Sequence, residues 1–130
     1  MSAANWASLA HARYLSLETY RRDGAAVRTP LWFAEAPGGA VLLAYTRADS
    51  AKLKRLRRNP QCRVASCDMR GRLTGPWLDA QAAIADEVTA ADAMLRLNRK
   101  YWPWKHILDL LARLRGGAGR SVITIQPHQG

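Results

Sequence analysis

AYTRADSAKLKRLRRNP, residues 44–60, is the stretch that decides the fold of this chain. The apolar run over residues 41–44 leads into it and predicts a strand, which ends at two hydroxyl side chains, Tyr45 and Thr46. A helix is predicted next over residues 50–58, because a short polar turn precedes it and an Asn-Pro pair stops it. The sequence therefore predicts a strand-to-helix junction at this point.

The start of this helix has the features of a site for a phosphate-like anion. Asp49 or Ser50 can cap the helix, and Lys52 lies in its first turn. A helix N-terminus exposes unpaired N–H groups and a partial positive charge, to which the hydroxyl and ammonium groups add charge-assisted hydrogen bonds. The spacing leaves open a second interpretation, a solvated basic helix that Leu53 and Leu56 anchor and whose cations face water: Lys52, Lys54, Arg55, Arg57 and Arg58.

The length and charge of the chain indicate one basic globular domain. At 130 residues, with 48% apolar residues and a mean hydropathy of -0.26, residues 1–130 can form a single domain with an ordinary core. The 20 Lys and Arg residues outnumber the 10 Asp and Glu residues, so the net charge is +10. Such a charge favours anionic partners (nucleic acid, an anionic cofactor or acidic metabolites) without choosing among them.

The two cysteines and the N-terminus predict a cytoplasmic protein. Cys62 and Cys67 lie five residues apart on one predicted strand, so their side chains point to opposite faces and a disulfide is not expected. Neither residue has the spacing of a metal site. Residues 1–6 lack the basic and apolar regions of a signal peptide, and no apolar run reaches the roughly 18 residues of a membrane span. We therefore expect no metal and no membrane association.

Alternating apolar residues and turn signals predict six strands and four helices. Asp23-Gly24, residues 37–39 and residues 70–72 are the turn signals between neighbouring strands. The predicted elements are helix 5–12, strands 13–22, 26–36 and 40–46, helix 50–58, strands 61–69 and 76–86, two helices between residue 89 and Gly116-Gly117, and strand 121–126. Hairpin spacing favours a mostly β fold, an antiparallel barrel with a few covering helices.

The two late helices are predicted from caps and apolar stripes. Thr89 and Asp92 form a capping-box pattern ahead of a stripe at helical spacing, which consists of Met94, Leu97 and Tyr101. Pro103 can open the second helix, whose apolar face consists of Trp104, Ile107, Leu108, Leu111 and Leu114. Trp102 and Trp104 can line a pocket or pack in the core, and core packing is the preferred interpretation.

Pro30 lies inside the predicted strand 26–36. Because proline donates no hydrogen bond to a neighbouring strand, this point should be an edge, a bulge or a place where something other than a strand approaches. Pro30 also leaves a flat, donor-free surface against which a ring can lie. Arg28 and Trp32 share its face, whereas Thr29 and the next odd-numbered residues point to the other face.

Together these residues resemble the pyridoxamine 5'-phosphate oxidase-like superfamily of split β-barrel flavoproteins. Within it they resemble most the branch of enzymes that depend on the deazaflavin coenzyme F420. The resemblance covers most of the chain and runs through residues 14–17, 20–24, 27–33, 50–60, 67–72 and 125–127. It implies a small split β-barrel that forms a homodimer, with coenzyme F420 or FMN in a groove between the two subunits.

The resemblance also implies which residues hold the cofactor. The phosphate of the cofactor would lie against Tyr45, Thr46, Ser50 and Lys52, with Arg55 on the same helical side as Lys52. The strand that would run beside the ring consists of Arg28, Thr29, Pro30, Leu31 and Trp32. Thr29 would act through its backbone, and Trp32 would either wall the pocket or pack at the dimer seam. The chain departs from many relatives at Ser50, where they carry a second basic residue.

The function that the resemblance implies is an oxidoreductase that transfers a hydride between the cofactor and a small organic acceptor. The cofactor supplies this chemistry, and no residue of the chain is assigned a catalytic role. Structural or exposed roles are expected for the three histidines, which are His11, His106 and His128. Coenzyme F420 is preferred over FMN mainly because the resemblance is to the F420-dependent branch. Its phosphodiester and glutamate tail also carry several negative charges, which Lys52, Arg55 and Lys54 or Arg58 can follow.

Two other functions are consistent with the sequence. The chain can hold FMN or F420 without turnover, as a carrier or a sensor. It can also bind nucleic acid through the five cations of residues 52–58, with a strong dependence on salt. That segment lacks interleaved aromatic residues, and the chain has no helix-turn-helix or zinc pattern. Nucleic acid is therefore not the expected partner.

Overall fold

The computed structural model describes residues 6, 9, 12–36, 40–47, 50–102 and 120–128. Six strands and two helices lie within these ranges. In chain order they are β1 (Tyr14–Tyr20), β2 (Ala26–Glu35), β3 (Leu42–Arg47), α1 (Ala51–Arg58), β4 (Gln61–Cys67), β5 (Leu78–Ile84), α2 (Glu87–Lys100) and β6 (Arg120–Pro127). Each of these elements was predicted, with ends that differ by one or a few residues.

The six strands close into an antiparallel barrel in the order β1-β2-β3-β6-β5-β4. This arrangement confirms the predicted barrel with covering helices. The predicted turn at Gly24 is present, because Gly24 N–H donates to Arg21 O at 2.9 Å and Gly24 has φ 87°, a left-handed conformation that favours glycine. Gly71 adopts the same φ in the predicted turn between β4 and β5.

The core fills the inside of the barrel. Successive side chains of a strand point to opposite faces, so every second residue reaches the interior. Leu15 and Leu17 of β1, Phe33 of β2 and Val64 of β4 are all fully buried there. α1 closes onto this core with the two leucines predicted to anchor it, Leu53 and Leu56.

The cap of α2 differs from the prediction. The N-cap is Asp86, whose Oδ1 accepts a 2.7 Å hydrogen bond from Thr89 N–H, so the predicted capping box of Thr89 and Asp92 is wrong. Thr89 lies inside the first turn, and Asp92 pairs instead with Arg96 at 2.8 Å. The predicted buried stripe is confirmed by Leu97, which is fully buried, and by Tyr101 just beyond the helix.

Several predicted features lie outside the described residues. They are most of helix 5–12, the turn at residues 37–39, the helix after Pro103 with Trp104, and both His11 and His106. Trp6 and Leu9 are described and buried in the core. Trp102 is 69% exposed, so its interpretation as a core residue is wrong.

The two cysteines are buried free thiols, and Cys62 is part of the barrel core. Burial raises the pKa of the Cys62 thiol to about 12. Among the described residues, no helix is both long and apolar enough to cross a membrane.

Candidate functional site

The hydrogen-bonded ladder between β2 and β3 stops at the pair Trp32 and Tyr45. On one side of this point, Leu31 and Pro30 pair with β1 only. On the other side, Thr46 pairs with β6 only. The barrel wall therefore splits between these two strands. Pro30 lies on the part of β2 that has no partner on β3. Of the three alternatives predicted for Pro30, this position confirms the strand edge.

The junction after β3 lies at this split. Thr46 points to the same side of β3 as the core residues Leu42 and Ala44 and is 5% exposed. Its hydroxyl lies 3.3 Å from the Ser50 hydroxyl. Ser50, one of the two residues predicted as the cap, is the N-cap of α1, but its side chain makes no capping hydrogen bond. The two hydroxyls thus face each other and are not used by the helix N–H groups.

Lys52 and Arg55 supply positive charge next to these hydroxyls. Lys52 is half-buried, and burial followed by the charge of Arg55 lowers the pKa of its ammonium. No carboxylate among the described residues forms an ion pair with either side chain. A half-buried ammonium beside a guanidinium is costly without a counter-charge, so this arrangement fits a bound anion.

The positive charge continues along α1 toward the β1–β2 turn. Burial, and then the charges of Arg21 and Arg58, lower the pKa of Arg55. Arg55 Nε donates to Thr19 Oγ1 at 2.7 Å, and Arg58 donates to Tyr20 O at 3.0 Å. These two hydrogen bonds hold the guanidinium groups over the end of β1.

The outer face of β1 carries a different cluster, built around a buried carboxylate that arginines of β2 and β4 flank. Glu18 is 1% exposed and accepts 2.7 Å hydrogen bonds from Arg28 Nε and from Arg63 Nε. The Arg63 hydrogen bond is the largest cause that lowers the pKa of Glu18 to about 2, with Arg28 and the Tyr20 hydroxyl adding to it against desolvation. Both guanidinium groups also lie over the Trp77 ring, at 4.8 and 5.3 Å from its centroid.

Trp32 and Tyr45 belong to an aromatic stack on the outside of the barrel. The Trp32 ring lies 4.8 Å from the Tyr101 ring and 6.4 Å from the Tyr45 ring, with interplanar angles of 17° and 23°. Tyr101 itself sits beneath α2, where its hydroxyl accepts from Phe33 N–H at 3.0 Å. Part of the Trp32 surface is therefore used inside this chain, and both interpretations of Trp32, pocket wall and dimer seam, stay predictions.

The predicted site residues fall into three groups. Thr46 and Ser50 lie together at the junction, and Lys52 and Arg55 follow them on α1, where the charge of Arg55 acts on Lys52. Thr29 is half-buried and Leu31 is part of the core, both on the inner side of β2. The remaining residues lie on the outer side of the barrel: Arg28, Pro30, Trp32 and Tyr45.

Sequence reasoning missed Glu18 and Trp77. The sequence shows an acidic residue on a strand, but only the pairing of Glu18 with Arg28 and Arg63 across three strands reveals that it is buried. Trp77 precedes β5 and has no periodic signal of its own. Alternation along 14–20 does place Glu18 on the outer face, which is the one hint that the sequence holds.

Comparisons with known proteins agree with this architecture. The family model described as Pyridoxamine 5'-phosphate oxidase matches residues 2–130. A search of curated proteins finds no match.

Three solved structures illustrate the range of similar barrels. An F420 reductase is 22% identical, with a TM-score of 0.57 over 94% of this chain and 92% of that chain. The conserved hypothetical protein Rv2991 from Mycobacterium tuberculosis is 22% identical, with a TM-score of 0.69 over 99% of this chain and 82% of that chain. The heme storage protein HutZ from Vibrio cholerae is 16% identical, with a TM-score of 0.66 over 92% of this chain and 84% of that chain. At such identities the likeness shows the fold alone.

Proposed function

This chain belongs to the pyridoxamine 5'-phosphate oxidase family, and from that premise we propose that it is an oxidoreductase that uses coenzyme F420 or FMN. In this proposal it passes a hydride between the cofactor and a small organic acceptor. The observation that carries the proposal is the cluster of hydroxyls and cations that starts at the split in the barrel wall with Thr46 and Ser50 and continues along α1 with Lys52 and Arg55. Its two cations are partly desolvated and have no acidic partner among the described residues.

The cluster has the donor set that a phosphate group needs. Two hydroxyl groups, an ammonium and a guanidinium all donate to phosphate oxygens, and the charged donors make the stronger bonds. Binding a dianion here would also remove the repulsion between Lys52 and Arg55. The residues present therefore fit the phosphate end of either cofactor.

The cofactor, when bound, supplies the hydride chemistry. The role of this chain is to bind, orient and shield it. Lys52 and Arg55 would hold the anionic end, and the Arg55–Thr19 hydrogen bond fixes the direction of the guanidinium. Pro30 contributes a donor-free surface on the unpaired edge of β2. We expect a proton from solvent or substrate, since Thr46, Ser50, Lys52 and Arg55 include no carboxyl or imidazole group.

Coenzyme F420 is the preferred cofactor in this proposal. FMN needs one phosphate site, which Lys52 and its neighbours satisfy. Arg21 and Arg58 extend the positive charge beyond Arg55, and a cofactor with several anionic groups makes better use of it. The similar barrel of an F420 reductase is consistent with this choice without deciding it.

The proposed assembly is a homodimer with the cofactor in the groove between two subunits. The split beside Pro30 is open on one side of β2, so a second subunit can complete its wall. This part of the proposal comes from the resemblance to the family. A cytoplasmic location also stays a prediction, and the two free thiols support it.

A carrier or sensor is the second candidate function. The junction groups that the structure describes are hydroxyls and cations, which can bind an anion and include no carboxyl or imidazole group. A protein that only holds the cofactor needs nothing more. Turnover therefore has to be tested separately from binding.

Two measurements test the proposal in turn. Fluorescence titrations with F420 and with FMN measure binding, and we expect the tighter complex with F420. Reduced cofactor is then mixed with the protein and with quinones or nitro compounds, and its consumption is followed by absorbance. Binding without consumption by any acceptor favours the carrier, and failure to bind either cofactor rejects both functions.

A further inference from the structure

Charged residues of alternating sign form a row across the outer face of the barrel. Arg28 of β2 lies opposite Glu18 of β1, which lies opposite Arg63 of β4. Arg63 in turn lies opposite Asp79 of β5. Residues that are directly opposite on neighbouring strands point to the same face, so the four side chains are neighbours along the row. Asp79 ends the row, and no cation among the described residues forms an ion pair with it.

Glu18 is the reason that Arg63 does not neutralise Asp79. Opposite charges on directly facing residues usually attract each other. Arg63 Nε instead donates to Glu18 at 2.7 Å, and its guanidinium lies 5.3 Å from the centroid of the Trp77 ring. A guanidinium has five N–H donors, so the Nη groups of Arg63 can still donate to another acceptor. Asp79 is exposed, so its carboxylate is accessible to a ligand.

Arg63 and Asp79 both line a recess of about 300 Å³. Ligand pockets range from roughly 300 to 1,000 Å³, so this recess suits a small molecule. His128 lies at the end of the same row, because its N–H donates to Asp79 O at 3.2 Å. The Nδ1 atom of His128 is buried and has no hydrogen-bond partner in the described part of the chain. The polar residues that line the recess are Tyr20, Asn59, Gln61, Arg63, Asp79 and His128.

We propose that this recess binds a small zwitterion of the α-amino acid class. The ligand carboxylate accepts hydrogen bonds from Arg63, and the ligand ammonium donates to Asp79. A ligand with a carboxylate alone is repelled by Asp79, and a ligand with an ammonium alone is repelled by Arg63. An α-amino acid carries both groups on one carbon atom. This spacing suits two directly facing residues, whose Cβ atoms lie roughly 4.5–5.5 Å apart.

Glu18 is a positioning residue for this site, because it acts on the ligand through Arg63. The hydrogen bond from Arg63 is the largest cause that lowers the pKa of Glu18 to about 2, so Glu18 is ionised at neutral pH and holds the guanidinium in place. The Trp77 ring provides a second contact for the same group. A cation that is already held in position loses less freedom when a ligand binds.

The recess is separate from the proposed cofactor site. Ser50 begins α1 and Asn59, which lines the recess, ends it. At 1.5 Å per residue, about 13 Å of helix lies between them. The inference therefore does not depend on the proposed function, and its test uses the protein without added F420 or FMN.

A screen with the standard amino acids tests binding. Each is added alone at millimolar concentration, and we expect at least one to raise the melting temperature, because a ligand that binds only the folded state stabilises that state. Calorimetric titration then compares this amino acid with its N-acetyl and methyl ester derivatives, each of which lacks one of the two charges. Both derivatives should bind about ten- to a hundredfold more weakly. No stabilisation by any amino acid, or equal binding of either derivative, would overturn the proposal.

Variants test the position of the ligand. Asp79→Asn keeps the shape of an exposed side chain and should weaken binding of the amino acid about ten- to a hundredfold, with little effect on its N-acetyl derivative. Glu87→Gln, which changes an exposed acid on α2, is the control and should leave both affinities unchanged. Arg63→Lys keeps the charge and should retain more affinity than Arg63→Ala, with circular dichroism as the check on folding. Unchanged affinity in Asp79→Asn would place the ligand elsewhere and overturn the proposal.

Discussion

Arg55 Nε donates a 2.7 Å hydrogen bond to the buried hydroxyl of Thr19, and this bond joins α1 to β1. The charge of Arg55 lowers the pKa of Lys52, and the charges of Arg21 and Arg58 add to burial in lowering the pKa of Arg55 itself. A single hydroxyl on the first strand therefore sets the direction of the cation at the centre of the positive cluster. This contact is therefore part of the packing of α1 on the barrel and also part of the proposed anion site.

Thr19→Val tests that contact. The substitution keeps the volume of the side chain but leaves Arg55 without its acceptor. We expect a loss of about 1–2 kcal/mol in the free energy of unfolding, since hydrogen bonds to charged groups are the stronger ones and Arg55 can still reach water. Urea denaturation measures the change. Thr124→Val is the matched control, because its hydroxyl makes a long 3.3 Å bond at an exposed site, and an equal loss in both variants would argue against a special role for Thr19.

Lys52→Ala should weaken cofactor binding more than Lys54→Ala does. Lys52 is half-buried at the junction, whereas Lys54 is exposed two residues further along α1. A charge-assisted hydrogen bond contributes roughly 1.5–3 kcal/mol, which corresponds to about a ten- to hundredfold change in the dissociation constant. Fluorescence titration of F420 or FMN measures both variants. Equal and small effects would remove Lys52 from the site.

Glu18 predicts a loss of stability in acid. Its pKa is about 2 in the folded protein against 4.5 for an ordinary glutamate. Because the folded value is the lower one, the stabilisation is complete above about pH 4.5 and is lost as the pH falls toward 2. It amounts to roughly 3 kcal/mol.

Glu18→Gln should remove this pH dependence. The variant leaves two arginines without their shared carboxylate, so we also expect it to be less stable at pH 7 by on the order of 3 kcal/mol. Denaturation curves between pH 2 and pH 7 provide the measurement. Glu87→Gln changes an exposed glutamate at the start of α2 and serves as the control. A wild-type slope that persists in Glu18→Gln would assign the acid sensitivity to other carboxyl groups.

Tyr101→Phe should destabilise the contact between α2 and the barrel. The Tyr101 hydroxyl is buried, accepts from Phe33 N–H at 3.0 Å and lies 2.6 Å from the acceptor Arg13 O. Its removal leaves a buried N–H unpaired, at a cost of about 1–3 kcal/mol. Thermal and urea unfolding measure the loss. Tyr14→Phe removes a hydroxyl from the ring that stacks on Tyr101 at 6.1 Å and should cost much less, and similar losses would show that the hydrogen bonds of the Tyr101 hydroxyl have no special role.

The architecture was predictable because its signals are local. Alternation along β1, the Asp23-Gly24 turn and the caps of α1 each specify an element from a few neighbouring residues. The error at α2 has the same origin. Thr89 and Asp86 are both acceptable N-caps by sequence, and the end of β5 at Ile84 decides which of them begins the helix. That decision depends on tertiary structure.

The candidate site was predictable where it is contiguous in sequence. Thr46, Ser50 and Lys52 lie within seven residues, and a strand followed by a helix brings them together. The Glu18 cluster was not predictable, because Arg28 and Arg63 reach it from strands 10 and 45 residues away. The exposure of Trp102 was missed for a related reason. An aromatic residue near an apolar helix looks like core until the packing of that helix is known.

The β2–β3 ladder ends at Trp32, and this end separates residues that stabilise the fold from residues that can contact a ligand. Leu31 turns its side chain into the core at this point, so substitutions there would disturb folding before they altered binding. The opposite wall consists of the buried Thr46 and the first turn of α1, and the more exposed side chains of that turn can vary in charge and length while the six strands stay closed. New ligand preferences in such a barrel would therefore arise by exchanging a handful of residues after the third strand, with the hydrophobic interior inherited unchanged.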